Sequence, residues 1–430
     1  MPGKKPIIVT AVFIVGLFSA LYVAGFIPVV DSRLRPSDSP AYIPVSGDSF
    51  EFYIKENKQR IRTALTEHFY NKTPNPFGPD YPLEEVVEMR APFQITPPEN
   101  ACSGTLSGSS KGFLLIHGLS DSPYLLSAVA RSLAGAYPCS LIRGLLVPGN
   151  GTVPGDLMRV SRDDWERITN FGVEGFKELV DELYVVGYSN GSSLILNYLD
   201  QQPDDDFIAG LIFLSPGMKA KSELIYLAPY IRYVMRWVNV NTDLDAAKYE
   251  SFPMNAAAEF QELTNIITDP HLRPLDIPVF MAMSGDDTTI DAMASAEFFC
   301  NKVNNKRRHL LWYRSGNTGA SPEITCDGME VVDVTVAEPR FIGHSHVGIT
   351  MPMNDPHYGI DGNYSSCLAY SENPALFDEC RSDNDNTVYG ENTIRDEAGR
   401  YQGKLVRRAT FNPLYNEMID EIRCFIDEAC

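Results

Sequence analysis

Six short apolar runs, set between stretches of helical spacing, constrain this chain more than any other feature. They are "GFLLIHG" (112–118), "SLIRGLLVP" (140–148), "LYVVG" (183–187), "FIAGLIFLSP" (207–216), "IPVFMAMSG" (277–285) and "HLLWYRS" (309–315). A run with little polar alternation suits a strand covered on both faces. Between them lie Leu125, Leu126, Val129, Ala130 and Leu133 at helical spacing, then helical stretches over 164–183 and 191–200. Buried strands alternating with helices predict an α/β architecture, a mostly parallel sheet with helices on both faces.

One seam in this alternation carries chemistry. Gly187-Tyr188-Ser189-Asn190-Gly191 sits between the apolar "LYVV" and the helical "SSLILNYL". A serine hydroxyl is a poor nucleophile until a base takes its proton and a sharp turn presents its oxygen. A strand-to-helix turn does this at the carboxyl edge of a sheet, and flanking glycines keep Cβ atoms out of it. The turn also leaves the first amides of the helix unpaired. The N–H of Asn190 is therefore a candidate oxyanion donor, and the N–H of Leu119, after "LLIHG", a candidate second one. His117 precedes the serine, whereas this kind of fold orders its triad as serine, acid, histidine, so His117 reads as structural.

The acid is expected after a later strand. "SGDDTTID" offers Asp286, Asp287 and Asp291. A glycine, a short turn, the acid and a β-branched residue three positions on describe Asp287 with Ile290 best. Asp286 is the alternative, and Asp291 reads as the start of the next helix. The base is expected beyond the last strand, where "RFIGHSHVGITMP" holds His344 and His346. The chain has seven histidines, so two at this position are informative. His68 and His309 read as structural, and His271 and His357, which flank prolines, as loop residues.

The amino end constrains location. Lys4 and Lys5 precede residues 6–30, "PIIVTAVFIVGLFSALYVAGFIPVV", which hold no charge. Such a run is long enough to cross a hydrocarbon core of roughly 30 Å as a helix. The lysines favour a cytoplasmic amino end, and so an exported body on the periplasmic or extracellular side. Residues 1–30 thus read as a signal-anchor transmembrane helix, with a long cleaved signal peptide and secretion as the alternative. Residues 31–110 read as a linker and extension, with an amphipathic helix over 48–69 through Phe50, Tyr53, Ile54, Ile61 and Leu65 and a surface-lying segment after it. Residues 111–430 form the main domain. The aromatic stretch "SELIYLAPYIRYVMRWV" within 217–275 reads as a helical cap insertion or as a further core helix. The eight cysteines include no C-x-x-C pair, which in an exported chain points to disulfides, Cys367 with Cys380 among the plausible pairs. A formal net charge of −20 argues against nucleic acid as a partner. Neither H-E-x-x-H nor a strand-borne G-x-G-x-x-G occurs, so no metal or organic cofactor is expected.

Taken together, "LLIHGLSDSPY", "LLVPGNGTVPGDLMRVSRDDW", "VVGYSNGS", "IFLSPG", "SGDDTTID", "GHSHVGITMPMNDPHYG" and "RRATFNPLYNEM" resemble bacterial α/β-hydrolases of the carboxylesterase, monoacylglycerol lipase and lysophospholipase-like group. The resemblance spans roughly residues 112–425. It implies the α/β-hydrolase fold and a Ser189–Asp287–His346 triad. His346 is favoured over His344 because the family's histidine follows a serine, here Ser345. Two departures stand out. Asn150 replaces a histidine between two glycines, and Ser192 replaces a common glycine, which is expected to loosen the strand–helix contact slightly. The resulting expectation is a serine hydrolase acting through an acyl-enzyme on small-molecule carboxylic esters, lipid-like or medium-chain. The alternatives are a peptidase or acyltransferase on the same fold, or a non-catalytic binding or adhesion protein.

Overall fold

The computed structural model describes residues 31–72, 75–98, 102, 110–203, 205–315, 321–335, 337–382, 385–391 and 400–429. The expected membrane-spanning helix over 1–30 lies outside them. Among the described residues no helix is long and apolar enough to cross a membrane.

Five of the predicted runs become the strands β2 (Lys111–Ile116), β3 (Leu141–Leu145), β4 (Glu182–Tyr188), β5 (Ile208–Leu214) and β8 (Val279–Ser284), and the sixth becomes β9 (Arg308–Arg314). Their side chains are buried almost throughout, as strands covered on both faces require. The sheet has eight strands in the order β1-β3-β2-β4-β5-β8-β9-β10. All its pairs are parallel except β1 with β3. The carboxyl ends of β4, β5 and β8 therefore open on one edge, where loop residues from distant parts of the chain converge.

Both outer strands escaped the sequence reading. β1 (Phe93–Ile95) comes from the segment expected to lie over the surface, and it pairs antiparallel with β3. The helix Leu83–Arg90 leads into it, with Val86, Val87, Met89 and Arg90 buried. β10 (Met329–Asp333) comes from the stretch between β9 and His344, and it pairs parallel with β9. Neither "FQI" nor "MEVVD" is buried on both faces, so neither writes the continuous apolar run that marks the inner strands.

The amphipathic helix is present as Phe50–Leu65, capped by Ser49, with Phe50, Tyr53, Ile61 and Leu65 buried. The Tyr53 hydroxyl donates to Leu146 O at 3.0 Å and accepts from Leu146 N at 2.9 Å, which docks this helix on the end of β3. The helix expected over 164–183 is shorter. It runs Arg162–Glu174 from a capping box of Ser161 and Asp164, and the chain then turns before β4.

The aromatic stretch after β5 forms no long helix. A 3₁₀ segment, Glu223–Leu227, passes into a single turn, Ala228–Ile231, with Pro229 in its first turn. The two-stranded ribbon β6 (Trp237–Asn239) and β7 (Phe252–Pro253) follows, then the helix Met254–Ile267. That helix packs on the elbow helix Asn190–Gln201. A small sheet, β11-β13-β12, is built from Thr387–Gly390, Lys404–Arg408 and Arg400–Tyr401.

Disulfides join Cys102 to Cys139, Cys300 to Cys326 and Cys367 to Cys380. Cys424 is also disulfide-bonded. The disulfide reading of the cysteine count therefore holds, including the Cys367–Cys380 pair.

Candidate active site

The turn after β4 is strained in the way a presented nucleophile requires. Ser189 has φ 51° and ψ −120°, a region that costs a non-glycine residue on the order of 1–3 kcal/mol. Its neighbours hold it there. Ser189 N–H donates to Leu214 O at 3.1 Å, and Ser189 O accepts from Ser192 N and Gly217 N, each at 3.0 Å. The flanking glycines are sterically required. A Cβ on Gly191 would lie 1.9 Å from Ile116 O, and one on Gly187 would lie 2.7 Å from the backbone of Ser192.

Ser192 does not loosen this contact as expected. It is fully buried and its hydroxyl donates to Gly187 O at 2.8 Å, which adds a tie between the end of the strand and the helix. Asn150 fills its departure from the family pattern comparably. It is buried, and its Nδ2 donates to Val147 O at 3.0 Å.

His346 opens a short 3₁₀ turn, His346–Ile349, beyond the last strand of the main sheet. Its Nε2 lies 2.9 Å from Ser189 Oγ, and its Nδ1 lies 2.6 Å from Asp287 Oδ2. The other carboxylate oxygen of Asp287 accepts the N–H groups of Thr289 at 2.7 Å and Ile290 at 3.0 Å. A carboxylate only accepts, so Nδ1 carries the proton and Nε2 is left as an acceptor facing the serine. All three side chains are nearly buried, with Ser189 8% exposed. Low dielectric strengthens each charge-assisted bond in this chain.

The competing candidates point elsewhere. Asp286 accepts from Ser315 through its backbone N–H, at 3.1 Å, and through its hydroxyl. Asp291 caps the helix Ala292–Lys302 and pairs with Lys219 at 3.1 Å. His344 is buried between the rings of Tyr313 and Phe341, at 4.7 and 4.8 Å. Neither of its ring nitrogens reaches a hydrogen-bond partner among the described residues, and burial pulls its pKa down to about 3. His117 accepts from Val147 N at 2.9 Å, contacts Gly118 O at 2.7 Å, and is held down to about 4 by burial. His357 lies in a loop as expected, but not an exposed one. It is buried, bonded to the Tyr81 hydroxyl and 2.8 Å from Asp245 Oδ1.

Neither Leu119 N–H nor Asn190 N–H donates to another backbone or side-chain group among the described residues. Leu119 lines the cleft over Ser189, and Asn190 is the first residue of the elbow helix. The cleft has a volume of about 250 Å³. Its lining mixes the apolar Ile225, Phe252, Ala257, Phe260, Ile290 and Val347 with the polar Ser120, Asp121, Ser222, Lys248, Thr288, Thr289 and Arg408. A larger groove of about 440 Å³ between Tyr81, Met89, Phe93 and Tyr124 contains none of these groups and is not the site.

Three supporting residues were not legible in the sequence. Ser215 Oγ donates to His346 O at 3.0 Å, and the Tyr188 hydroxyl lies 3.4 Å from the same oxygen. Arg408, carried by β13, donates to Thr289 Oγ1 at 2.9 Å and pairs with the buried Glu391 at 3.2 Å. It was within a quoted stretch, but nothing in its spacing placed it on the cleft wall.

No family model matches the chain. It is similar to the thermostable monoacylglycerol lipase of Bacillus sp. (strain H-257), 25% identical over 216 residues, covering 47% of this chain and 81% of that protein. Among solved structures it resembles a metagenome-derived lipolytic enzyme from the work on LipS and LipT, with 18% identity, TM-score 0.43, 51% of this chain and 86% of the other. A soluble variant of the monoglyceride lipase of Saccharomyces cerevisiae has 17% identity, TM-score 0.40, 52% and 81%.

Proposed function

We propose that this chain, an α/β-hydrolase by its sheet order, its strand–serine–helix turn and its similarity to a lipase, is a serine hydrolase that cleaves carboxylic esters. The observation that carries the reading is the continuous bonded path Asp287–His346–Ser189, at 2.6 and 2.9 Å, ending at a strained serine that faces a cleft. Ser189 Oγ attacks the ester carbonyl while His346 Nε2 takes its proton. Asp287 fixes the tautomer and stabilises the imidazolium. The Leu119 and Asn190 amides receive the oxyanion, a contribution of about 3–4 kcal/mol per donor in comparable sites. His346 then protonates the leaving alcohol, and water, activated by the same imidazole, releases the acid from the acyl-enzyme.

The apolar residues lining the cleft suit a medium-chain or lipid-like acyl group, and the polar ones an alcohol bearing hydroxyls. Residues 1–30 act as a membrane anchor with the body exported, a reading supported by the uncharged run 6–30 behind Lys4 and Lys5 and by the disulfides.

A panel of p-nitrophenyl esters of increasing acyl length, hydrolysed by the full chain and by its Ser189→Ala variant, tests this. Turnover that peaks at intermediate length and vanishes in the variant is expected. Turnover that survives in the variant would contradict it.

A further inference from the structure

The segment between β5 and β7 has two apolar faces where a surface helix normally has one. Ile225, Ala228 and Ile231 pack inward on Met254, Ala257 and Ala258. The outward positions are also apolar. Leu224 is 73% exposed, Tyr230 and Tyr233 are each 78% exposed, and Val234 is 87% exposed. Contiguous exposed apolar surface of this kind marks an interaction site.

Charge singles out the same face. The chain has a formal net charge of −20, yet residues 219–240 hold Lys219, Lys221, Arg232 and Arg236 against the single carboxylate Glu223. Lys219 is paired with Asp291, and Arg232 with Glu259 and Glu262. Arg35, Arg159 and Arg236 are exposed and take part in no ion pair among the described residues. Arg159, Tyr233 and Arg236 line one open groove together with Pro36 and the paired Arg232 and Glu259, so Arg159 and Arg236 lie beside the aromatic surface.

The position of the amino end is the third observation. Arg33 stands three residues beyond the uncharged run 6–30. Its guanidinium donates to Asn241 O at 2.7 Å and to Ser251 Oγ at 3.3 Å, and it pairs with Asp243. With Arg33 on Asn241 and Pro36 in one groove with Tyr233 and Arg236, residues 33–36 lie beside the arginine-flanked aromatic face.

We infer that this face, built on Leu224, Tyr230, Tyr233 and Val234 and flanked by Arg159 and Arg236, docks on the surface of an anionic lipid bilayer, the one that the preceding segment enters. Aromatic and aliphatic side chains settle at the headgroup boundary, while arginines hold the anionic lipid phosphates beside them. Ser222 and Ile225 line the catalytic cleft from the other side of the same segment, so docking sets the cleft mouth next to the lipid. The inference rests on the anchor in the proposed function and is separable from ester hydrolysis itself.

The test uses the full chain reconstituted in phosphatidylcholine vesicles with and without phosphatidylglycerol, quenched by lipids brominated on their acyl chains. Trp165 and Trp312 are buried and give a constant background, so a reporter is introduced as Val234→Trp in a Trp237→Phe chain. Val331→Trp in the same background, on the exposed β10 edge, is the reference. Quenching at 234 is expected to exceed that at 331 by at least about twofold in phosphatidylglycerol vesicles. It is expected to fall when phosphatidylglycerol is omitted or when Arg159 and Arg236 are changed to Glu. Equal quenching at the two positions overturns the inference, as does quenching at 234 that ignores both lipid charge and the arginines. A blue shift at 234 that grows with protein density but is indifferent to bromine assigns the face to a second copy of the chain and also overturns it. Flotation of the same samples reports on the anchor, and turnover of a soluble short-chain ester reports on the hydrolase reading.

Discussion

The Nε2 atom of His346 lies 2.9 Å from Ser189 Oγ, although 157 residues of chain separate them. Two independent fixtures set that distance. The serine is held by a turn whose strain is offset by Leu214 O and Gly217 N–H, and the histidine by Asp287 on its ring and Ser215 on its carbonyl. Removing either fixture leaves the chemistry without aim, because base and nucleophile must stay within hydrogen-bond reach.

The two adjacent carboxylates make the sharpest mutational contrast. Asp287→Asn is expected to lower kcat by about 10⁴-fold, as loss of the tautomer-setting acid does elsewhere. Asp286→Asn removes an acceptor of Ser315 and is expected to change kcat by less than about tenfold while lowering stability by about 1 kcal/mol. Steady-state kinetics on a soluble ester, beside urea unfolding, separates them.

Gly191→Ala is expected to be more damaging than its one added methyl suggests. The Cβ would meet the backbone oxygen of Ile116 at 1.9 Å, which cannot swing aside, so β2 or the elbow must shift. A loss of about 3 kcal/mol or more, or failure to fold, is expected from overpacking of this kind. Ser192→Ala leaves Gly187 O without its 2.8 Å donor and is expected to cost about 1–3 kcal/mol with the fold retained. Thermal unfolding followed by circular dichroism measures both.

Acid should destabilise the protein through two histidines that play no part in the reaction. Burial holds His344 down to about 3 and His117 to about 4, against 6.5 for the free side chain. Below 6.5 the unfolded chain takes up protons that the folded chain refuses. This contribution is therefore fully present above about 6.5 and is lost as the pH falls toward 3, with a limiting slope of about 1.4 kcal/mol per pH unit for each group. His344→Phe keeps a ring between Tyr313 and Phe341 and is expected to flatten the dependence relative to the parent chain. Urea midpoints on either side of that window check it, and an unchanged slope would contradict it.

What the sequence revealed and what it hid have physical causes. The buried strands were legible because burial on both faces writes a continuous apolar run. The elbow was legible because glycines at 187 and 191 are demanded by backbone contact rather than by local preference. β1 and β10 hid because a short strand at the sheet edge, only partly buried, writes no continuous apolar run. The aromatic segment misled because its inner and outer faces are both apolar, which mimics a buried helix, while the backbone makes only a 3₁₀ segment and a single turn that Pro229 opens. Arg408 hid because a small sheet, assembled far along the chain, delivers it to the cleft wall. His357 looked like a loop residue beside a proline, and only tertiary packing brings Tyr81 and Asp245 to its two nitrogens.

Labelling with a fluorophosphonate, followed by peptide mapping, tests the central relationship most directly. The phosphonyl group is expected on Ser189, at a rate that Asp287→Asn lowers by orders of magnitude and Ser189→Ala abolishes. A chain that resists the reagent at every pH where it stays folded, or that carries the label on another residue, would contradict it.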